Sequence, residues 1–115
     1  MQRVHRMVAL LKETRQLLTP ISSHATGGMY FDEHGIRCDR HRAVSYDLMG
    51  ALHKLRTPED MMENITGDAS RELLRTAEVW GYETTVRLND SGGHGAVLRC
   101  IDATLLRLER EAGHG

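Results

Sequence analysis

The stretch Val86-Arg87-Leu88-Asn89-Asp90-Ser91-Gly92-Gly93-His94-Gly95, followed by an apolar-striped run to Arg110, constrains the fold more than any other part of the chain. Tyr82 to Leu88, with Thr84, Thr85 and Val86, has strand propensity, and Asp90 or Ser91 is of the type that caps a helix. Val97, Leu98, Ile101, Leu105 and Leu108 then recur at helical spacing. The pattern predicts an extended segment that turns through glycines into a long amphipathic terminal helix. Such a helix buries its stripe only against other apolar faces, which the rest of the sequence must supply.

Those faces are legible upstream. Val4, Met7, Val8, Leu11 and Leu18, with Leu10 and Leu17 beside them, predict a helix over about residues 3 to 18 that stops at Thr19-Pro20. Gly28 to Phe31 and Ile36 to Cys38, separated by Asp32-Glu33-His34-Gly35, predict a short hairpin. Ser45 is a candidate cap for a second helix over about 44 to 55, in which Gly50 marks close packing. Thr57-Pro58-Glu59-Asp60 opens a short helix to about Asn64, because Pro suits the first helical position and acids suit the positive helix end. Asp68 is the candidate cap of a further helix with Leu73, Leu74, Ala77 and Trp80 inward, closed by Gly81. The fold class expected is α+β, mostly helical, with four to five helices and a small antiparallel β element, in one domain over 1–115.

A chain of 115 residues, 40% apolar, can support one core without disulfides or a metal, and 4% aromatics with six Met make that core aliphatic. Cys38 and Cys100 give no disulfide framework, and no run approaches the roughly 20 apolar residues of a membrane span. A cytoplasmic setting is expected, with no membrane contact. The net charge of −1 hides an asymmetry: residues 1 to 56 carry nine Lys/Arg against five Asp/Glu, and residues 57 to 115 carry six against eleven. This layout argues against nucleic-acid binding and suits either pairing of the halves within the molecule or contact with a partner.

The N-terminal helix, the Gly-rich hairpin, Gly50-Ala51-Leu52 and Leu88-Asn89-Asp90 before the terminal helix together resemble an uncharacterised family of small bacterial and phage proteins. The resemblance covers nearly the whole chain. Family members carry a Cys shortly before Gly-Ala-Leu and a Trp-Asn-Asp motif; here Val44 to Met49 holds no Cys and Leu88 replaces the Trp. The resemblance therefore implies a fold far more than a function; a phage- or mobile-element-borne accessory role belongs to the functional expectation.

Three constellations are candidates for chemistry. His34, Cys38 and His41 could hold zinc, with Asp39 or His53 as a fourth ligand, although the second Cys pair of a structural zinc site is missing. Asn89, Asp90, Gly92, Gly93 and His94 could hold an anion at a helix N-terminus, but there is no P-loop Lys and Asp90 would repel the charge. Cys38 with His41, or Cys100 with His94, could form a nucleophile and base; no orienting third group is evident, and neighbouring arginines could lower the Cys38 thiol. The reading favoured by the residues is a non-catalytic protein-binding or regulatory module without a cofactor. It would contact a host protein or a second copy through Arg37, Arg40 and Arg42 and through Met61, Met62 and Ile65, which are expected on the surface of a short helix. The alternative is a small enzyme or ligand-binding protein that uses the Gly92 to Gly95 loop and the His34/Cys38/His41 cluster.

Overall fold

Apolar side chains at helical spacing put α1 at Gln2–Leu18, where the sequence places it. The computed structural model describes residues 2–114. A 3-10 turn at Ile21–Ser23 follows, then β1 (Tyr30–Phe31), β2 (Ser45–Tyr46), α2 (Leu48–Leu55), α3 (Pro58–Met62), α4 (Ile65–Val79), the single helical turn α5 (Thr85–Arg87), a π-type turn at Leu88–Gly92 and α6 (Gly93–His114). The architecture is mostly helical α+β with one small antiparallel sheet. α1 packs against α2, α4 and α6, and α4 against α6. The core between them includes Leu11, Leu18, Leu48, Leu52, Ile65, Leu73, Leu88, Val97 and Ile101, all fully buried. Thr76 and Thr104 face each other in it, their hydroxyls 2.7 Å apart, so each polar group is satisfied where α4 meets α6.

Four local expectations are corrected. The hairpin turn forms, with the Asp32 carboxylate accepting from the His34 and Ile36 N–H groups, but β1 pairs with Ser45–Tyr46 and the 36–38 limb contributes only a bridge at Arg37. Ser45 is therefore in a strand, and Asp47 caps α2 by accepting from the Gly50 N–H at 2.6 Å. Asp68 lies inside α4, which starts earlier because Asn64 adopts a left-handed conformation (φ 57°) that reverses the chain after α3; the Asp68 carboxylate pairs instead with Arg3 and Arg71. Finally, Tyr82 to Leu88 is no strand. Thr84 accepts from the Arg87 N–H at 3.0 Å and caps a helical turn, so burial of Thr85 and Leu88 overrides the β-propensity of the segment.

The charged halves of the chain meet within the molecule. Arg3 pairs with Asp68, Arg6 with Asp60 at 3.2 Å, Lys12 with Glu109 at 3.6 Å and Arg15 with Asp102 at 3.0 Å, so basic α1 is flanked by the acidic C-terminal half. The helix start expected at Thr57 forms, and it is a full capping box: Thr57 accepts from the Asp60 N–H, and Asp60 accepts from the Thr57 N–H.

Gly50 is fixed by contact. A Cβ there would overlap the Met29 carbonyl, lying 2.8 Å from its carbon, where backbone offers no room to yield. Gly50→Ala is expected to cost about 3 kcal/mol, at the upper end of overpacking costs. Gly113→Ala, at a helical position whose added Cβ meets nothing within 4 Å among the described residues, is expected to be neutral or to gain up to about 1 kcal/mol. Urea melts of both variants check the contrast; equal effects would contradict the close approach of Met29 to α2.

Candidate functional site

The loop that the sequence marks, Asn89 to His94, sits where the chain from the 3-10 turn, the start of α2 and the start of α6 converge. Within the π-type widening at Leu88–Gly92 both Leu88 and Asn89 are buried. Asn89 is 1% exposed, and its carboxamide makes four hydrogen bonds. Oδ1 accepts from the Leu48 N–H at 3.0 Å and from His24 Nε2 at 2.8 Å. Nδ2 donates to the Ala25 carbonyl at 3.0 Å and to Asp90 Oδ1 at 2.9 Å. The Leu48 amide can only donate, so the orientation of the carboxamide is determined and His24 carries its proton on Nε2. Asp90 Oδ1 also accepts from the Gly27 N–H at 3.2 Å.

His94 belongs to the same junction. Its Nε2 donates to the Leu18 carbonyl at 2.7 Å, so it satisfies an orphan acceptor at the end of α1. The His24 and His94 rings lie 5.5 Å apart, tilted by 47°. Gly92 admits Tyr82, whose hydroxyl oxygen would lie 3.0 Å from an added Cβ, and Gly93 has φ +79° and donates its N–H to the Asn89 carbonyl. Asn89, Asp90 and His94 are thus brought together, with their polar atoms directed to backbone and to each other. The expected cap is overturned: the Asp90 carboxylate does not accept from a backbone N–H of the turn that follows but clamps Gly27 and Asn89, while Ser91 is exposed.

Next to this junction Asp47 is 4% exposed. Burial pushes its carboxyl up from 3.8 to about 6, opposed by the Gly50 N–H bond and reinforced by the charge of Asp90. Asp47 lies three positions before Gly50. Its burial is not legible in the sequence, because a short acid before a helix reads as an exposed cap.

The other candidates are separated. His34 lies within 3.5 Å of Glu33, the Cys38 thiol donates to the Asp39 carbonyl and His41 is exposed; no group of three His, Cys, Asp or Glu among the described residues is arranged to hold a metal. The Cys38 thiol is raised by desolvation and by Asp32 and Asp39 against the pull of Arg42, the reverse of the lowering expected from the arginines. Cys100 is buried and pushed up to about 11, so its thiolate is disfavoured. Of the expected contact residues, Arg37 donates to the Gly27 carbonyl and Arg40 to the His53 carbonyl, whereas Arg42 is exposed. Met61 and Met62 are exposed, but Ile65 is fully buried, because α4 begins there and turns it into the core.

One surface was missed. Trp80, expected inward, is the C-cap of α4 and 42% exposed; Val79 beside it is 82% exposed, and Val86 on the adjoining α5 is 50% exposed. The stripe Leu73, Ala77 would bring position 80 toward the core only if the helix continued. Gly81, at φ +90°, ends it.

No helix among the described residues is long and apolar enough to cross a membrane. Comparison with protein-family models, with curated proteins and with solved structures returns no match.

The Asp47 environment has a measurable consequence. A carboxyl with a folded value above its unfolded one binds its proton more tightly in the fold. Stability therefore falls as pH rises from about 4 to about 6, by an amount on the order of 3 kcal/mol for this group. Asp47→Asn keeps an acceptor for the Gly50 N–H and removes the charge. Relative to wild type it should gain stability across that window and keep the gain at pH 7. Melting curves at stepped pH check this, and a parallel pH dependence in the two proteins would show that Asp47 is not the titrating group.

Proposed function

We propose that the protein is a non-catalytic protein-binding module, and that the α4–α5 corner formed by Val79, Trp80 and Val86 is its contact surface. The exposure of these three side chains within eight residues carries the reading. Large apolar side chains grouped on a surface mark interaction sites, and Trp is among the residues that most often anchor an interface. The polar residues with chemical potential support it from the other side: Asn89, His94 and Asp47 are engaged in holding segments together, and the Cys100 thiol is buried. The pairing of basic α1 with the acidic half leaves charge asymmetry a weak reason for self-association, so the corner is the better basis for contact with a second copy or with a host protein. A phage- or mobile-element-borne accessory role fits a module of this kind.

Trp80 is the sole tryptophan, so its fluorescence reports directly on the corner. With rising protein concentration, or on adding a host lysate fraction that is retained by the immobilised protein, its emission is expected to shift to the blue and its quenching by iodide to fall. Val79→Glu should abolish both changes without altering the circular dichroism spectrum. The reading fails if sedimentation shows a monomer at all accessible concentrations and wild type and Val79→Glu retain the same host proteins.

A further inference from the structure

The apolar corner at the end of α4 carries charges of both signs that the fold leaves unused. From residue 78 to residue 87 the charged side chains are Glu78, Glu83 and Arg87. All three are exposed, and none has an ion pair or a side-chain hydrogen bond among the described residues. Elsewhere in the molecule acids and bases three or four positions apart do pair: Arg71 with Asp68 at 3.4 Å, Arg75 with Glu72 at 3.2 Å and Arg107 with Glu111 at 3.9 Å. Glu83 and Arg87 do not, because Thr84 between them is extended (φ −144°, ψ 162°) and caps α5. Glu83 therefore lies before the helical turn, and the two share no helix face. Both nevertheless line one recess of about 290 Å³, together with Gly81, Tyr82 and Ser91. The indole N–H of the half-exposed Trp80 also has no acceptor among the described residues.

We infer that the partner at this corner is a second copy of the chain, bound about a twofold axis so that Val79, Trp80 and Val86 of the two copies cover one another and Glu83 of each pairs with Arg87 of the other. The inference rests on the corner being the contact surface and names its occupant. A twofold contact is made by the same patch on both copies, so the patch must complement itself. This one does. Its apolar side chains meet their own kind, and an acid and a base at separate positions on one rim exchange partners when the patch is rotated onto its copy. α5 packs against α4, so the apolar and charged parts form one continuous surface. Covering the apolar part shields the two Glu83–Arg87 pairs from water, which strengthens them relative to solvated surface pairs. It also places the Trp80 N–H beside polar groups of the second copy, as an interfacial indole requires. Glu78 is the surplus acid of the patch.

The test is sedimentation equilibrium of the whole chain over a range of concentrations, with Trp80 emission recorded in parallel. Wild type is expected to form a dimer that dissociates on dilution, with bluer emission in the dimer. Glu83→Lys and Arg87→Glu should each weaken it tenfold or more, because each places two like-charge contacts in every dimer. Neither side chain is engaged within the fold, so the circular dichroism spectrum should be unchanged. In an equimolar mixture of the two variants both cross-pairs again join opposite charges. The mixture should therefore form a heterodimer within a few-fold of wild-type affinity, and the double variant in one chain should dimerise likewise. A wild-type monomer at every concentration overturns the inference; if Val79→Glu then still abolishes retention of a host protein, the corner stands as a contact surface with a different occupant, and if Val79→Glu changes neither, the corner reading fails with it. A dimer that survives Val79→Glu, a dimer that either charge reversal leaves unchanged, or a mixture no tighter than its components also overturns the inference.

Discussion

The fold depends on the carboxamide of Asn89. Its four hydrogen bonds use both lone pairs of the oxygen and both protons of the nitrogen, and they reach segments 41 to 65 residues away in sequence: Leu48 at the start of α2, and His24 and Ala25 after the 3-10 turn. Each bond alone contributes about 1 kcal/mol net. Their joint effect is larger in a buried setting, because removal of the carboxamide would strand partners that water cannot easily reach. The apolar stripes of α1, α4 and α6 decide that these helices pack together. The Asn89 junction decides how the irregular first half of the chain, from residue 20 to residue 47, is fastened to them.

The helices and their core faces were legible because they are periodic. α1, α3 with its capping box, the end of α4 at Gly81 and the inward face of α6 all follow from local spacing and cap chemistry. The misread segments are those where a tertiary contact overrides a local preference. Thr84, Thr85 and Val86 favour a strand, yet the demand to bury Leu88 and Asn89 together draws them into a helical turn. Ile65 appeared to extend the surface of α3, but the left-handed Asn64 starts a new helix that directs it inward. Asp90 reads as a cap from its position before α6, whereas it and Asn89 bond to distant segments. Their partners were not foreseeable, since a side-chain amide carries no record in the sequence of the distant backbone it will meet.

The same distinction separates the sites. The histidines and cysteines that draw attention in the sequence are dispersed or bonded within the fold, and the groups left without engagement, Arg56 Nε, Thr66 Oγ1, Val79 and Trp80, are unremarkable as a sequence pattern. α4 brings Val79 and Trp80 to the corner at its C-terminal end. Charge plays a supporting part: the ion pairs between α1 and the acidic half are largely exposed and each is worth at most about 1 kcal/mol.

Hydrogen exchange at the Leu48 amide tests the Asn89 junction most directly, since this N–H has a side chain rather than a helix carbonyl as its acceptor. If the junction fastens the first half of the chain to the helices, Leu48 exchanges only with global unfolding, as slowly as the core amides of α6. In Asn89→Ala it would exchange orders of magnitude faster than those amides. Rapid exchange at Leu48 in the wild-type protein, or equal protection in Asn89→Ala, would contradict the account.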